Sequence, residues 1–312
     1  MEFLGTKFSN EAFEGLRTIV VPSGIGELQW SMTKYVNTGE DFCILGLDGA
    51  PRRLHQFCEL LPNVKAFGYT NYFDYTQIRQ WQDYHKLYDW ETVSRKFAVG
   101  QLTALACNPH LEAGKPLADW LPDLPTTYEY KLETTEKHKE VACKYLSQAA
   151  PGDILIGISC ASYRGADAWN TWKHREWLTF LGLVRSVLPS ARFVLLGGSW
   201  DDLTASIYDD SDGVRWLTDG RGFPPVGRTD FGAAVELLKG LSGYIGFSSG
   251  LGHVALHCCQ TPVLMLWPDH EHDLSRSWVN PERLDDGTYV PSAWNAPEDV
   301  FRTARKWLRQ LE

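Results

Sequence analysis

The chain has 312 residues, 44% hydrophobic and 22% charged, enough apolar material for one large core or two ordinary ones, which excludes a disordered polymer. A formal charge of -9 excludes a broad basic surface for nucleic acid or anionic lipid, leaving room only for a local basic cleft. The opening residues lack a basic segment followed by an apolar one, and no apolar run reaches the roughly 20 residues that span a bilayer, so a cytoplasmic protein is expected.

Residues 17–22 (RTIVVP) read as a buried strand, a Ser-Gly-Ile-Gly turn follows, and residues 27–35 read as a helix. Strands at 42–47 and 64–67 flank a helix at 52–61 with Leu54, Phe57, Cys58 and Leu61 on one face. Alternation of this kind implies a parallel sheet with helices packed on it. Residues 69–90 are rich in aromatic side chains and fit neither period, and 108–132 read as a proline-interrupted excursion. A helix at 135–148 and a Pro-Gly-Asp turn precede a new strand at 154–158, which places a domain boundary near residue 150.

The second half repeats the pattern. Trp177, Leu181, Val184 and Leu188 stand at helical spacing, strands are expected at 192–196, 244–247 and 262–267, and helices at 230–241 and 253–258. A last helix opens at Pro297, with Glu298 and Asp299 in its first turn and an apolar stripe of Phe301, Ala304, Trp307, Leu308 and Leu311. It can dock on either half. The expected architecture is two Rossmann-like domains, 1–150 and 151–312.

Seven cysteines without a C-x-x-C pair suggest reduced, mostly buried thiols and neither a disulfide framework nor a zinc site. Asp210-Ser211-Asp212 reads as a solvated turn, and His270-Glu271-His272 lacks the helical spacing of a zinc protease, so no metal is expected.

Two loops join the end of a strand to the start of a helix, where backbone N–H groups face an anion. One is Gly246-Phe247-Ser248-Ser249-Gly250-Leu251-Gly252-His253, whose glycines admit close approach and whose serines offer hydroxyl donors. Its local spacing fits a diphosphate site or an ordinary tight turn. The other is Ser23-Gly24-Ile25-Gly26-Glu27, in which Glu27 is either a general base or a first-turn acid that complements the helix dipole.

Taken together, G-I-G-E and S-S-G-L-G-H-V-A resemble the G-D and D-T-G-x-x-H-x-A signatures of glycosyltransferase family nine, the ADP-heptose lipopolysaccharide heptosyltransferases. The likeness continues through Trp172-Lys173, the F-V-L-L-G-G run at 193–198, Gly227-Arg228-Thr229 and P-V-L-M-L-W at 262–267. The resemblance implies a GT-B architecture in which two Rossmann-like domains face a cleft and the C-terminal helix packs back across both. It implies an inverting transfer of a heptose or other hexose-like sugar from a nucleotide diphosphate to a hydroxyl of a glycan such as lipopolysaccharide core, without a metal or other cofactor.

By the same resemblance Glu27 is the catalytic base, one methylene longer than the family's aspartate. Gly26, Lys173, Asp201, Ser248, Ser249, Gly250, Leu251, Gly252 and His253 contact the donor. Arg164 or Arg175 are substitutes for Lys173, and Asp202 for Asp201; the competing role is a solvated helix-start charge for the basic residues and a helix N-cap for the aspartate. Ser248 stands where the family carries an acid, which removes a negative charge beside the donor. Tyr72, Tyr75 and Trp81 in the aromatic stretch are the expected acceptor contacts, with core packing as the competing role.

Three rivals are weighed against this reading. A DNA-modifying glycosyltransferase acting on hydroxymethylated bases needs a basic cleft that the overall acidity disfavours. A catalytically silent sugar- or nucleotide-binding protein gains support from Ser248 and loses it from Glu27. A nicotinamide oxidoreductase lacks the G-x-G-x-x-G run after its first strand.

Overall fold

A computed structural model describes residues 2–3, 16–21, 25–46, 51–69, 101–105, 117–119, 121–160, 172–198, 206–209, 213–247, 249–267, 280–282, 289–291 and 296–312. The chain divides into two compact units, Met1–Glu133 and Thr134–Glu312.

The first unit is built on β1 (Glu2–Phe3), β2 (Arg17–Val21), α1 (Ile25–Tyr35), β3 (Phe42–Gly46), α2 (Pro51–Cys58), β4 (Val64–Tyr69) and β5 (Gln101–Leu105). Its five strands are ordered β1-β4-β3-β2-β5, all parallel except β1, which runs antiparallel to β4. Parallel strands covered on both faces read as continuous apolar runs, and Ile19, Val21, Cys43, Ile44, Val64, Ala66 and Phe67 are accordingly buried. β1 and β5 are additions to the elements read from sequence. Two residues suffice for β1 because an antiparallel edge strand needs only the free edge of β4, and Glu2 pairs with Tyr69 there.

The second unit carries α3 (Glu136–Leu146), β6 (Ile154–Ser159), α4 (His174–Val187), β7 (Ala191–Leu195), α5 (Phe231–Lys239), β8 (Gly243–Phe247), α6 (Gly250–Cys258), β9 (Val263–Trp267), β10 (Tyr289–Pro291) and α7 (Pro297–Leu308). Its sheet is ordered β10-β9-β8-β6-β7 and is parallel throughout.

The two units part between Glu133 and Thr134, so α3 lies in the second. The reason is packing against α5. Thr134 Oγ1 donates to Glu236 Oε1 at 2.5 Å. The His138 ring lies on Gly232, where an added Cβ would stand 2.3 Å from its Nδ1.

Alternation along the strands sorts the second unit into layers. Ile245, Phe247, Leu264 and Leu266 face a core made with Trp172, Trp177, Phe180, Leu181 and Val184 at and within α4 and Val300, Phe301, Ala304, Trp307 and Leu308 of α7. Tyr244 and Met265 therefore face the other side, under α6, and both lie within about van der Waals distance of where a Cβ on Gly252 would stand. The C-terminal helix finds its dock here: its apolar stripe is buried in the core of the second unit, against α4.

At the amino edge of the same sheet, Asp153 takes Arg215 Nη2 at 2.5 Å, Arg192 Nη1 at 3.4 Å and the Ala150 N–H at 2.8 Å. Its side chain is almost wholly buried, so this cluster fastens the start of β6 instead of facing a ligand.

Candidate functional site

In an open parallel sheet, ligands bind outside the carboxyl ends of the strands, where successive connections depart in opposite directions. Strand order locates that point in each unit. In the second, β6 lies between β7, which follows it in the chain, and β8, which comes later, so the switch point falls between β6 and β8. In the first, β2 lies between β3 and β5, and the switch point falls between β2 and β5.

β8 leads into α6 through Ser248 and Ser249. Ser249 is the N-cap: its backbone is extended and its hydroxyl accepts from the Gly252 N–H at 3.4 Å. The first backbone bond of the helix runs from His253 N–H to the Ser249 carbonyl at 3.1 Å. The N–H groups of Gly250 and Leu251 thus have no acceptor within the helix and point out of its first turn, toward the side that carries the positive end of the helix dipole. The helix begins three residues earlier than the sequence pattern suggests, because the cap, and not the low propensity of glycine, fixes where it starts.

The glycines earn their places by crowding. A Cβ on Gly246 would meet the Ser159 carbonyl and the Tyr244 hydroxyl at 2.9 Å, and one on Gly252 would meet Met265 Sδ at 2.9 Å. The backbone of this turn therefore packs closely against β6 and the sheet, where a side chain in place of either glycine would clash.

β6 leads to α4, whose N-cap position is Lys173; the Lys173 N–H donates to Glu176 Oε2 at 3.0 Å, and the residue is exposed. What ties this helix start to the β8 loop is an aromatic floor. Trp172 lies edge-on to Trp177 at 5.2 Å and to Phe247 at 6.3 Å, and Trp177 lies edge-on to Phe247 at 5.4 Å. Lys173 thus follows a residue of this cluster, at the start of the helix that comes after β6. Arg175 stands two residues on, in the first turn of α4.

His253 is buried at 1% exposure and its ring stacks on that of His257 with centroids 6.3 Å apart and 12° between planes. Burial, followed by the neighbouring His257, pushes its pKa down to about 3. The ring is neutral at ordinary pH and offers a ligand no cationic charge.

In the first unit Gly26 and Glu27 lie in the first turn of α1, directly after the loop that leaves β2. Gly26 is buried, as is every residue from Leu28 to Tyr35. Arg164, Asp201, Asp202, Asp210–Asp212, Ser248, His270–His272 and the three aromatic acceptor candidates Tyr72, Tyr75 and Trp81 lie outside the described residues. Among the described residues no group of three or more His, Cys, Asp or Glu side chains is placed to hold a metal ion. Of the six described cysteines, Cys43, Cys58, Cys160 and Cys258 are buried, and no described helix is long and apolar enough to cross a membrane.

Sequence reading missed one further feature at this edge. Gly227 N–H donates to the Gly197 carbonyl at 3.2 Å, which ties the 217–228 loop to the residues just beyond β7. That loop carries Phe223, 42% exposed, with the Arg228 guanidinium 4.1 Å from its ring centroid. The signal available was Gly227-Arg228-Thr229; the stacking partner five residues upstream had none.

No protein-family profile matches the sequence, and no curated protein matches it. Solved structures do. The glycosyl transferase family 9 protein from Veillonella parvula DSM 2008 matches with a TM-score of 0.59 over 97% of this chain and 99% of that one, at 11% identity. The E. coli ADP-heptose lps heptosyltransferase II matches with a TM-score of 0.59 over 95% and 99%, at 14% identity. The UDP-GlcNAc 2-epimerase from Neisseria meningitidis, solved with UDP-GlcNAc bound, matches with a TM-score of 0.50 over 94% and 92%, at 13% identity. The fold is thus the mixed α/β fold with parallel sheets of these proteins, including the family whose motifs the sequence resembles.

Proposed function

We propose that this chain is a divergent, inverting glycosyltransferase of GT-B type, using a nucleotide-diphosphate sugar and a hydroxyl acceptor, with the donor on the second unit and the acceptor served by the first. The observation that carries the reading is the Ser249-capped start of α6 at the β6/β8 switch point, with Lys173 at the N-cap of the helix that follows β6. A fold shared along almost the whole chain with a family 9 glycosyltransferase and a heptosyltransferase supports it.

In this mechanism Glu27 takes the proton of the acceptor hydroxyl as its oxygen attacks the anomeric carbon from the face opposite the diphosphate. The anomeric centre inverts and the bond to the diphosphate oxygen breaks. Negative charge grows on that oxygen, and the N–H groups of Gly250 and Leu251, the dipole of α6 and the Lys173 ammonium stabilise it without rearranging. Asp201 contacts the ribose, and Tyr72, Tyr75 and Trp81 contact the acceptor, a glycan such as lipopolysaccharide core. No metal is needed, because a lysine and a helix start supply the charge that a divalent ion would.

The test is a calorimetric and thermal-shift panel of ADP, UDP, GDP and CDP and their common sugar conjugates, with Gly250→Trp as the site control. One nucleotide that binds wild type and not the variant supports the donor site and names the base. Silence across the panel overturns the reading. Binding without transfer to any glycan acceptor favours the silent binding protein, for which Ser248 in place of an acid is the specific support.

A further inference from the structure

Helix α1 is buried on all sides over its last two turns, and its polar residues are buried with the rest: Gln29, Ser31, Thr33 and Lys34 have at most 2% exposure. A helix on a parallel sheet ordinarily leaves one face to water. Here residues 117–119 and 121–130 run along it. Lys34 Nζ donates to the carbonyls of Ala118 at 3.0 Å and Leu124 at 3.1 Å. Thr127 N–H donates to the Thr33 carbonyl at 2.7 Å, Asn37 Nδ2 to Thr127 Oγ1 at 2.9 Å, and the Tyr130 hydroxyl to the Gln29 carbonyl at 3.3 Å. The segment is a strap along the helix, and Leu121, held at a positive φ of 49°, turns it between the two carbonyls that Lys34 grips.

A buried ammonium is costly without acceptors, so these carbonyls and the lysine fix one another: if the strap slides, the charge loses these two acceptors. Lys34 also stands seven positions after Glu27, which is two turns along the same stripe of α1. A rotation or slide of the helix at Lys34 is therefore a displacement of equal kind at Glu27.

We propose that Lys34 is a positioning residue: by clamping the 117–130 strap to α1 it sets the place of the Glu27 backbone, and through it the catalytic base. The inference rests on the glycosyltransferase reading for the role of Glu27, and on the structure alone for the clamp. It concerns rate and not donor affinity, since the clamp lies wholly within the first unit.

The experiment uses the full chain with Lys34→Met, which removes the ammonium at similar length, and Lys34→Gln, which keeps a donor of shorter reach should the Met variant fail to fold. Amide hydrogen exchange is followed over residues 25–29 and 117–130, with kcat and donor KM measured on the nucleotide sugar selected by the binding panel. Exchange should rise in those two segments alone, and kcat should fall by roughly 10- to 100-fold, the cost of a base displaced by about an ångström, with donor KM within about twofold. The Gln variant should fall between Met and wild type. Unchanged exchange and kcat overturn the proposal, and so does exchange that rises throughout the chain with KM and kcat lost together, which would mark Lys34 as a general stabiliser. If Glu27→Gln turns over like wild type, or no nucleotide sugar binds, the functional reading fails, while the exchange pattern still decides whether Lys34 clamps α1.

Discussion

The starts of α1 and α6 occupy equivalent places, each after a strand beside the switch point of its own five-stranded sheet, yet they are finished in opposite ways. At α6 the proposed working surface is backbone: Ser249 caps the helix, and Gly246 and Gly252 pack closely on the sheet. At α1 the proposed working group is the side chain of Glu27, and the surroundings restrain the helix that bears it, by a strap and a buried lysine. A site that binds charge through N–H groups needs only access, whereas one that moves a proton through a carboxylate needs that carboxylate held in place.

The sharpest break in this comparison is Glu27→Gln. It keeps size and removes basicity, so turnover should fall by roughly 10²- to 10⁴-fold while calorimetry on the nucleotide diphosphate stays unchanged. If nucleotide affinity falls and turnover does not, the division of labour between the two helix starts is wrong.

Next in size is the aromatic cluster on the α4 face of the second sheet, where β8 ends. Trp172 is 2% exposed and touches Trp177, Phe180 and Phe247, so Trp172→Ala should cost about 3–5 kcal/mol in urea unfolding. It should also weaken nucleotide binding, because Lys173 and the 247–249 turn lose their common support. A stability loss with intact affinity would show that the floor is core and nothing more.

Acid distinguishes the halves by a smaller amount. In the unfolded chain His253 titrates near its ordinary 6.5, while in the fold burial and His257 hold it to about 3. Above pH 6.5 the ring is neutral in both states and contributes nothing to the pH dependence. Below it the unfolded chain takes up a proton that the folded ring refuses, so stability falls by about 1.4 kcal/mol per pH unit, or about 2 kcal/mol by pH 5. In the first unit burial lowers the His55 pKa too, but Glu59 at 3.6 Å pulls it back, and its share is smaller. His253→Gln should flatten the slope of unfolding free energy between pH 6.5 and 5 where His55→Gln barely alters it.

The same contrast explains what the sequence disclosed. The strands at Arg17–Val21, Phe42–Gly46, Ile154–Ser159 and Gly243–Phe247 were legible because buried parallel strands are apolar runs, and the helices at His174–Val187 and Pro297–Leu308 because each buries one stripe. The α6 turn was legible because a helix start after a strand is built from backbone and a cap, which glycine and serine announce. The clamp on α1 was not: Lys34 reads as a surface charge, and its acceptors are carbonyls 84 and 90 residues away that any sequence would supply. Strand β5 was missed because Gln101–Leu105 is short and mixed, and its place is fixed by pairing with β2. The packing of α3 on α5 was not legible, because it runs through side chains at Thr134 and His138 that carry no marker of their own.

The finest comparison sets two N-caps of the second unit side by side. Ser249 accepts from Gly252 N–H at the start of α6, and Asp230 accepts from Ala233 N–H at 2.8 Å at the start of α5. Ser249→Ala and Asp230→Ala should each lower stability by about 1 kcal/mol, measured by chemical unfolding, since each removes one acceptor for one helix N–H. Only α6 follows the strand that borders the switch point, so only Ser249→Ala should weaken the nucleotide selected by the panel, by a few-fold in Kd. The hydroxyl there both orders the first turn and can turn its proton toward a phosphate oxygen, which the Asp230 carboxylate cannot do. Equal affinity in the two variants would leave Ser249 a cap and transfer the whole of phosphate recognition to the backbone of Gly250 and Leu251. Equal loss in both would mean that helix order anywhere in the unit governs binding, and the switch-point site would have no special claim.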